Sequence, residues 1–150
     1  LQIAIESALA QAKITPDQID LIIPAGTAIP ADDQAEAEAI QNALGQAAEN
    51  AISLPTKSML SHTGAASGAL DVIVEAKAIS ESKIPAAKNC ENKASFCKLN
   101  ISEKLQEKQI RYALCCSDSF CGQTAAIILK NPNYKLYYLR RLLHHKHWRY

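Results

Sequence analysis

The sequence has no apolar run approaching the ~18 residues a membrane-spanning helix requires, so no membrane span is predicted. It also has no CxxC pair. Its five cysteines, Cys90, Cys97, Cys115, Cys116 and Cys121, are odd in number and crowd one stretch. That pattern argues against a disulfide framework and supplies no zinc-ligand spacing. No secretory leader is recognised, and reduced thiols in a cytoplasmic protein are expected. Net charge is nearly absent at +1, which predicts no polyanion partner, so neither nucleic acid nor a membrane surface is expected. There is no initiator Met, and Leu1 falls inside a helical pattern. The expectation is therefore a cut, cleaved or truncated chain. Internal repeats and low-complexity segments are absent too.

What is present suits one globular domain. In 150 residues, 48% are hydrophobic and 21% charged, enough apolar matter for a core and too little charge for disorder. Ile3, Ile5, Ala8, Leu9 and Ala12 recur at helical spacing. Thr15-Pro16-Asp17 predicts a cap and a short turn of helix, and Leu21-Ile22-Ile23 a buried strand. Asp33 followed by Glu36 has the spacing of a capping box, so a helix is predicted from Asp33 to Leu44, ended by Gly45. Ala51 to Leu54 suits a short strand. Residues 65–79 are apolar almost all round, which predicts a helix buried on most sides, with Gly68 permitting close backbone approach. The polar stretch from Ile84 to Gln109 is expected to be mostly loop. Ile110–Cys115 and Ala125–Leu129 are expected as strands. The order α, β, α, β, α, β-loop-β implies a mixed α/β layer architecture.

Three separated segments carry the chemistry. The first is Ala25-Gly26-Thr27-Ala28-Ile29-Pro30 with Asp33 and Glu36 after it. The second is Lys57-Ser58-Met59-Leu60-Ser61-His62, followed by Ala65, Ala66 and Gly68. The third is Arg111-Tyr112-Ala113-Leu114, then Ser119-Phe120-Cys121-Gly122. Together they resemble the C-terminal half of the β-ketoacyl synthases of the thiolase superfamily. The first matches that family's His-Gly-Thr-x-Thr-Pro loop, the second its Lys-Ser-x-x-Gly-His segment, the third its closing strand and Gly-Phe-Gly-Gly loop. The stretch from Ile84-Pro85 to Glu91-Asn92 matches the connection between them. Each motif is weak alone; the order and spacing make the resemblance specific from about Ile3 to Lys130.

The resemblance implies the C-terminal half of a thiolase-like layered fold, with helices packed on a mixed β-sheet, over residues 1–130, and a basic extension over 131–150. It implies acyl transfer: a cysteine takes an acyl group, a malonyl unit on a carrier protein is decarboxylated, and two histidines stabilise the enolate. No cofactor and no metal are implied. By resemblance the cysteine lies in a preceding half that these residues do not include. The first family histidine falls on Ala25, whose methyl can neither donate a hydrogen bond nor move a proton. The second is His62. Lys57 and Asp71 match the supporting pair, and an unpaired Asp71 inside an apolar helix would be costly. Phe120 and Gly122 match the substrate-gating loop, although Asp118, Ser119, Cys121 and Gln123 depart from it. Blander readings stay open: a solvated His62, a solvent-facing Asp71, a core Phe120. No Cys–His pair at family spacing nominates a nucleophile here.

The implied partners are the N-terminal synthase half or an active ketosynthase subunit, in a homo- or hetero-dimer, and an acyl carrier protein. Half of a duplicated fold exposes an apolar face that something must cover. From Lys135 to Tyr150 the chain is strongly basic, with Leu136, Leu139, Leu142 and Leu143 near helical spacing. That tail could dock an acidic carrier, touch other surfaces, or be a poorly ordered extension. Two functional readings follow. One is a non-catalytic partner resembling the chain-length factors of aromatic polyketide pathways, favoured by Ala25 and by the similar segment Ala69-Leu70-Asp71-Val72. The other is the C-terminal piece of a working, divergent synthase, favoured by His62, Lys57 and Phe120. A degraded reading frame is a third, duller possibility.

Overall fold

The structure is a computed structural model that describes residues 1–134. Helix α1 (Gln2–Ala12) is followed by a 3-10 turn at Pro16–Gln18 and strand β1 (Ile19–Ile23). Helix α2 (Pro30–Leu44), the single turn α3 (Ala47–Asn50) and strand β2 (Ile52–Ser53) come next. The short α4 (Lys57–Leu60) leads through a 3-10 turn to α5 (Ser67–Glu81). Three two-residue strands follow, β3 (Lys83–Ile84), β4 (Asn100–Ile101) and β5 (Gln106–Glu107). Strands β6 (Tyr112–Asp118) and β7 (Thr124–Lys130) close the fold.

Five strands form one mixed sheet in the order β4-β2-β1-β6-β7, parallel except for the β6–β7 pair. Central β1 is buried along its whole length, as expected of a strand covered on both faces. Its alternation divides the core. Ile22, with Leu114 and Cys116, packs on Ile5 and Leu9 of α1 and Ile40 and Leu44 of α2. Leu21 and Ile23, with Ala113 and Cys115, pack on Ala78 and Ile79 of α5. The architecture is therefore helices on both faces of a sheet. Asp20 is buried in β1 and accepts from Arg111 Nε at 2.9 Å and Nη2 at 3.0 Å, tying the start of β6 to β1 by a two-pronged charge-assisted contact.

Several expectations are corrected. β1 begins at Ile19, because Asp20 finds its partner at Arg111 and can enter the strand. Helix α2 begins at Pro30, and Asp33 is not its cap. Proline is pre-set for the first helical position, so the helix starts one turn earlier than the Asp33–Glu36 spacing suggested. The stretch after Ile84 is mostly loop, as expected, with two short exceptions: β4 joins the main sheet beside β2, and β5 pairs with β3. Helix α5 is not buried on most sides. Ser67, Asp71, Glu75, Ala78 and Ile79 face the sheet, while Ile73 is 58% exposed. Gly68 does allow close approach, since a Cβ there would lie 3.2 Å from Ser117 Oγ on β6. Among the described residues no helix is long and apolar enough to cross a membrane. The readings of the tail 135–150 lie outside the described residues.

Candidate functional site

Strands β1, β2 and β6 run parallel, so their carboxyl ends share one edge of the sheet. From β1 leaves the Ala25 loop, from β2 the Lys57–His62 segment, and from β6 the Ser119–Gln123 turn. Open α/β sheets bind ligands outside the carboxyl ends of their strands. Here the three loops enclose a cavity of about 960 Å³ lined by Ala25, Lys57, His62, Asp118, Phe120 and Gly122, among others. Asp71 stands behind Lys57 on α5.

The Ala25 loop is built by two carboxylates of α2. Glu36 accepts from the backbone N–H of Ala25 at 2.6 Å and of Gly26 at 2.8 Å. Asp33 accepts from the N–H of Thr27 at 2.9 Å and of Ala28 at 3.2 Å. The pair that looked like a helix cap thus caps the loop instead. Gly26 has φ +54°, a conformation glycine adopts without steric cost. Glu36 is buried, and burial outweighs its two N–H donors, pushing its pKa up to about 7.

Lys57 and Asp71 form a buried ion pair at 2.7 Å, with side chains 10% and 2% exposed. The Thr56 hydroxyl donates to the other oxygen of Asp71. Asp71 is therefore satisfied on both oxygens, and the solvent-facing alternative is excluded. Thr56 escaped the sequence reading; only its position directly before Lys57 could have signalled it.

His62 lies on an exposed turn at the cavity wall. Its Nδ1 accepts from the Gly64 N–H at 3.1 Å. A neutral ring holding that bond carries its proton on Nε2, which makes Nε2 the donor. Phe120 is 84% exposed and stacks on His62, with centroids 6.1 Å apart and planes at 29°. It is a surface ring, not a core phenylalanine. The turn is pinned by Ser67, whose Oγ accepts from the Thr63 N–H at 3.0 Å. Directly before His62, Ser61 has φ +63° and ψ 171°, a region used almost only by glycine.

Two further features bear on chemistry. Asp118 lines the cavity with one carboxyl oxygen buried and unpartnered among the described residues. Burial and the charge of Asp32 raise its pKa. The thiols offer no nucleophile beside His62. Burial pushes Cys115 up to about 12 and Cys116 well above an ordinary thiol, and exposed Cys121 is not among the cavity-lining residues. Among the described residues no group of three or more His, Cys, Asp or Glu side chains is arranged to hold a metal.

The cavity can present one imidazole donor and one fixed ammonium to an anion. At Ala25 it presents only a methyl, and near Asp118 a carboxyl.

Comparison with known proteins agrees with this architecture. A 3-oxoacyl-[acyl-carrier-protein] synthase 2 of Vibrio cholerae is 30% identical over 131 residues, covering 85% of this chain and 32% of the relative. The enzyme of that name from Staphylococcus aureus is 32% identical over 128 residues, again 85% of this chain and 32% of the relative. This chain thus spans about a third of the length of these relatives. Among solved structures, the ishigamide ketosynthase/chain length factor superposes with a TM-score of 0.77 at 30% identity, covering 82% of this chain and 30% of that one. A type II PKS acyl-carrier protein in complex with its ketosynthase bound to the hexaketide gives 0.82 at 25% identity, covering 86% and 32%. The fold is that of the thiolase-like ketosynthases. Residues 1–91 match the family described as beta-ketoacyl synthase, C-terminal domain, and on that match, with the three loops gathered at one sheet edge, the chain belongs to the β-ketoacyl synthase family as its C-terminal domain.

Proposed function

We propose that this chain is the C-terminal portion of a β-ketoacyl synthase-like protein of fatty acid or polyketide biosynthesis, and that it does not condense acyl units by itself. In this reading it acts as a chain-length-factor-like partner or fragment. Its counterparts are an N-terminal synthase half or an active ketosynthase subunit, in a dimer, and an acyl carrier protein. The observation that carries the reading is Ala25. Its loop is held by Glu36 and Asp33, and in this reading it corresponds to the family's first histidine loop with a methyl in place of the imidazole. Losing one preorganised donor to a developing oxyanion costs ~10²–10³ in rate. Asp118 adds a carboxyl on the same cavity wall, which disfavours an enolate when ionised.

A second reading is a working, divergent synthase. The Lys57–Asp71 pair and the Nε2 donor of His62 favour it, because both persist on the cavity wall. The chain should be mixed with an upstream half bearing the active-site cysteine, and condensation of acyl and malonyl carrier thioesters followed. The first reading expects no turnover by the chain alone. It also expects turnover in the assembly only where the partner carries its own two histidines. Turnover by an assembly in which His62→Ala abolishes the rate would overturn it in favour of the second.

A further inference from the structure

Helix α5 turns three polar side chains toward the sheet, at Ser67, Asp71 and Glu75. Ser67 and Asp71 are satisfied, as described. Glu75 is not. It is completely buried, and neither carboxyl oxygen meets a hydrogen-bond partner among the described residues. A buried carboxylate in that position would be uncompensated, and the price rises steeply without a cation or donor.

No cation faces it. On its own helix the nearest charged group is Asp71, one turn back, whose negative charge disfavours a second. Lys57 is committed to Asp71 at 2.7 Å. From β6 the facing titratable group is the Cys115 thiol, which feels Glu75 as a charge and is itself held protonated. From β7 the Leu129 N–H lies near enough to favour the ionised form without completing a hydrogen bond. Lys130, also on β7, is exposed and stands 5.9 Å over the Tyr112 ring. From β3, Lys83 is exposed and paired with Glu107. The turn Gly64–Ala66 has no titratable side chain.

We propose that Glu75 is a proton-dependent latch: as a neutral acid it lets α5 seat on β6 and β7, and its ionisation lifts that helix from the sheet. The consequence reaches the cavity, because α5 also carries Asp71, which fixes Lys57, and Ser67, which pins the His62 turn. Burial first, then the charge of Asp71, raises the pKa of Glu75 to about 8. The drive to open therefore grows as pH rises from about 4.5 and is complete near 8. It stands independently of the function proposed above, since it concerns only how α5 is held.

The test is hydrogen–deuterium exchange on the full 150-residue chain between pH 6 and 9.5, corrected for the intrinsic rate. Amides of α5 are compared with those of α1 and α2 in the same molecule. Wild type should lose protection in α5 by about tenfold per pH unit from pH 6 up to about 8, where the seated acid still holds a proton that the released one has lost, and should level off above that. Glu75→Gln and Glu75→Leu, which cannot ionise, should keep α5 protected across the range. The latch is wrong if wild-type α5 exchanges no faster at pH 9.5 than at pH 7. It is equally wrong if both variants lose protection in step with wild type, because another group would then be responsible.

Discussion

Replacing Ser61 by glycine should stabilise this protein, against the usual direction for a glycine substitution. Ser61 sits at φ +63° and ψ 171°, where a Cβ is crowded and only glycine is at ease. Holding a non-glycine residue in such a region costs ~1–3 kcal/mol. Glycine removes that strain but loosens the unfolded chain, which costs about 0.5–1 kcal/mol. The net gain is therefore ~0.5–2 kcal/mol. Little else changes: Ser61 is exposed, and the bond its N–H donates to the Lys57 carbonyl at 3.0 Å survives in glycine. With a urea slope of ~2 kcal/mol per molar, a gain of ~1 kcal/mol moves the midpoint up by about 0.5 M. The assay is urea unfolding at pH 7 of wild type, Ser61→Gly and Ser61→Ala. Alanine keeps the Cβ and should gain nothing. If alanine stabilises as much as glycine, or glycine lowers the midpoint at unchanged slope, the strain argument fails.

Other predictions follow from the same geometry. Lys57→Met leaves the Asp71 carboxylate buried with only Thr56 as donor, and should cost ~3–5 kcal/mol in urea unfolding, whereas Lys57→Met with Asp71→Leu should recover most of it. Glu36 has a folded pKa of about 7, above its unfolded value of 4.5, so the folded state holds a proton the unfolded state has released. Stability should fall as pH rises from about 4.5 to 7 and then level off, a loss of ~3 kcal/mol, and Glu36→Gln should flatten that slope. In an assembly with a cysteine-bearing half, Ala25→His places a ring on a loop already held in place and, if the proposed match to the family's first histidine holds, should raise condensation. No gain, with the imidazole seen in the cavity by crystallography, would favour a partner subunit over a synthase.

The sheet was legible because its strands are short apolar runs between clear turn signals. The three loop motifs were legible by resemblance, and topology explains why they meet: β1, β2 and β6 are parallel, so segments far apart in sequence emerge together. What stayed hidden depended on tertiary partners. Asp20 reads as a polar residue ahead of a strand until Arg111, ninety-one positions later, neutralises it. Strands β4 and β5, between Ile84 and Gln109, are two residues each, below any periodicity. Helix α5 misled in both directions. Its apolar content suggested burial all round, yet Ile73 is exposed, while the residues it buries include an acid with no partner.

The site itself separates scaffold from chemistry. Asp33 and Glu36 grip only backbone N–H groups of the Ala25 loop, and a backbone grip does not depend on which side chain the loop carries. The side chain at position 25 could therefore change without the loop moving. The other wall is built differently. Asp71 holds the Lys57 ammonium itself, and Gly64 fixes the imidazole of His62 through Nδ1, so there the side chains are what the scaffold organises. A side-chain change at position 25 is therefore structurally tolerable, whereas loss of Lys57 would unpair a buried carboxylate. Retention of Lys57 is thus explained by stability alone and is weak evidence for catalysis. His62 stands apart from that argument: it is exposed, and its removal would strand no buried charge, so stability does not account for it.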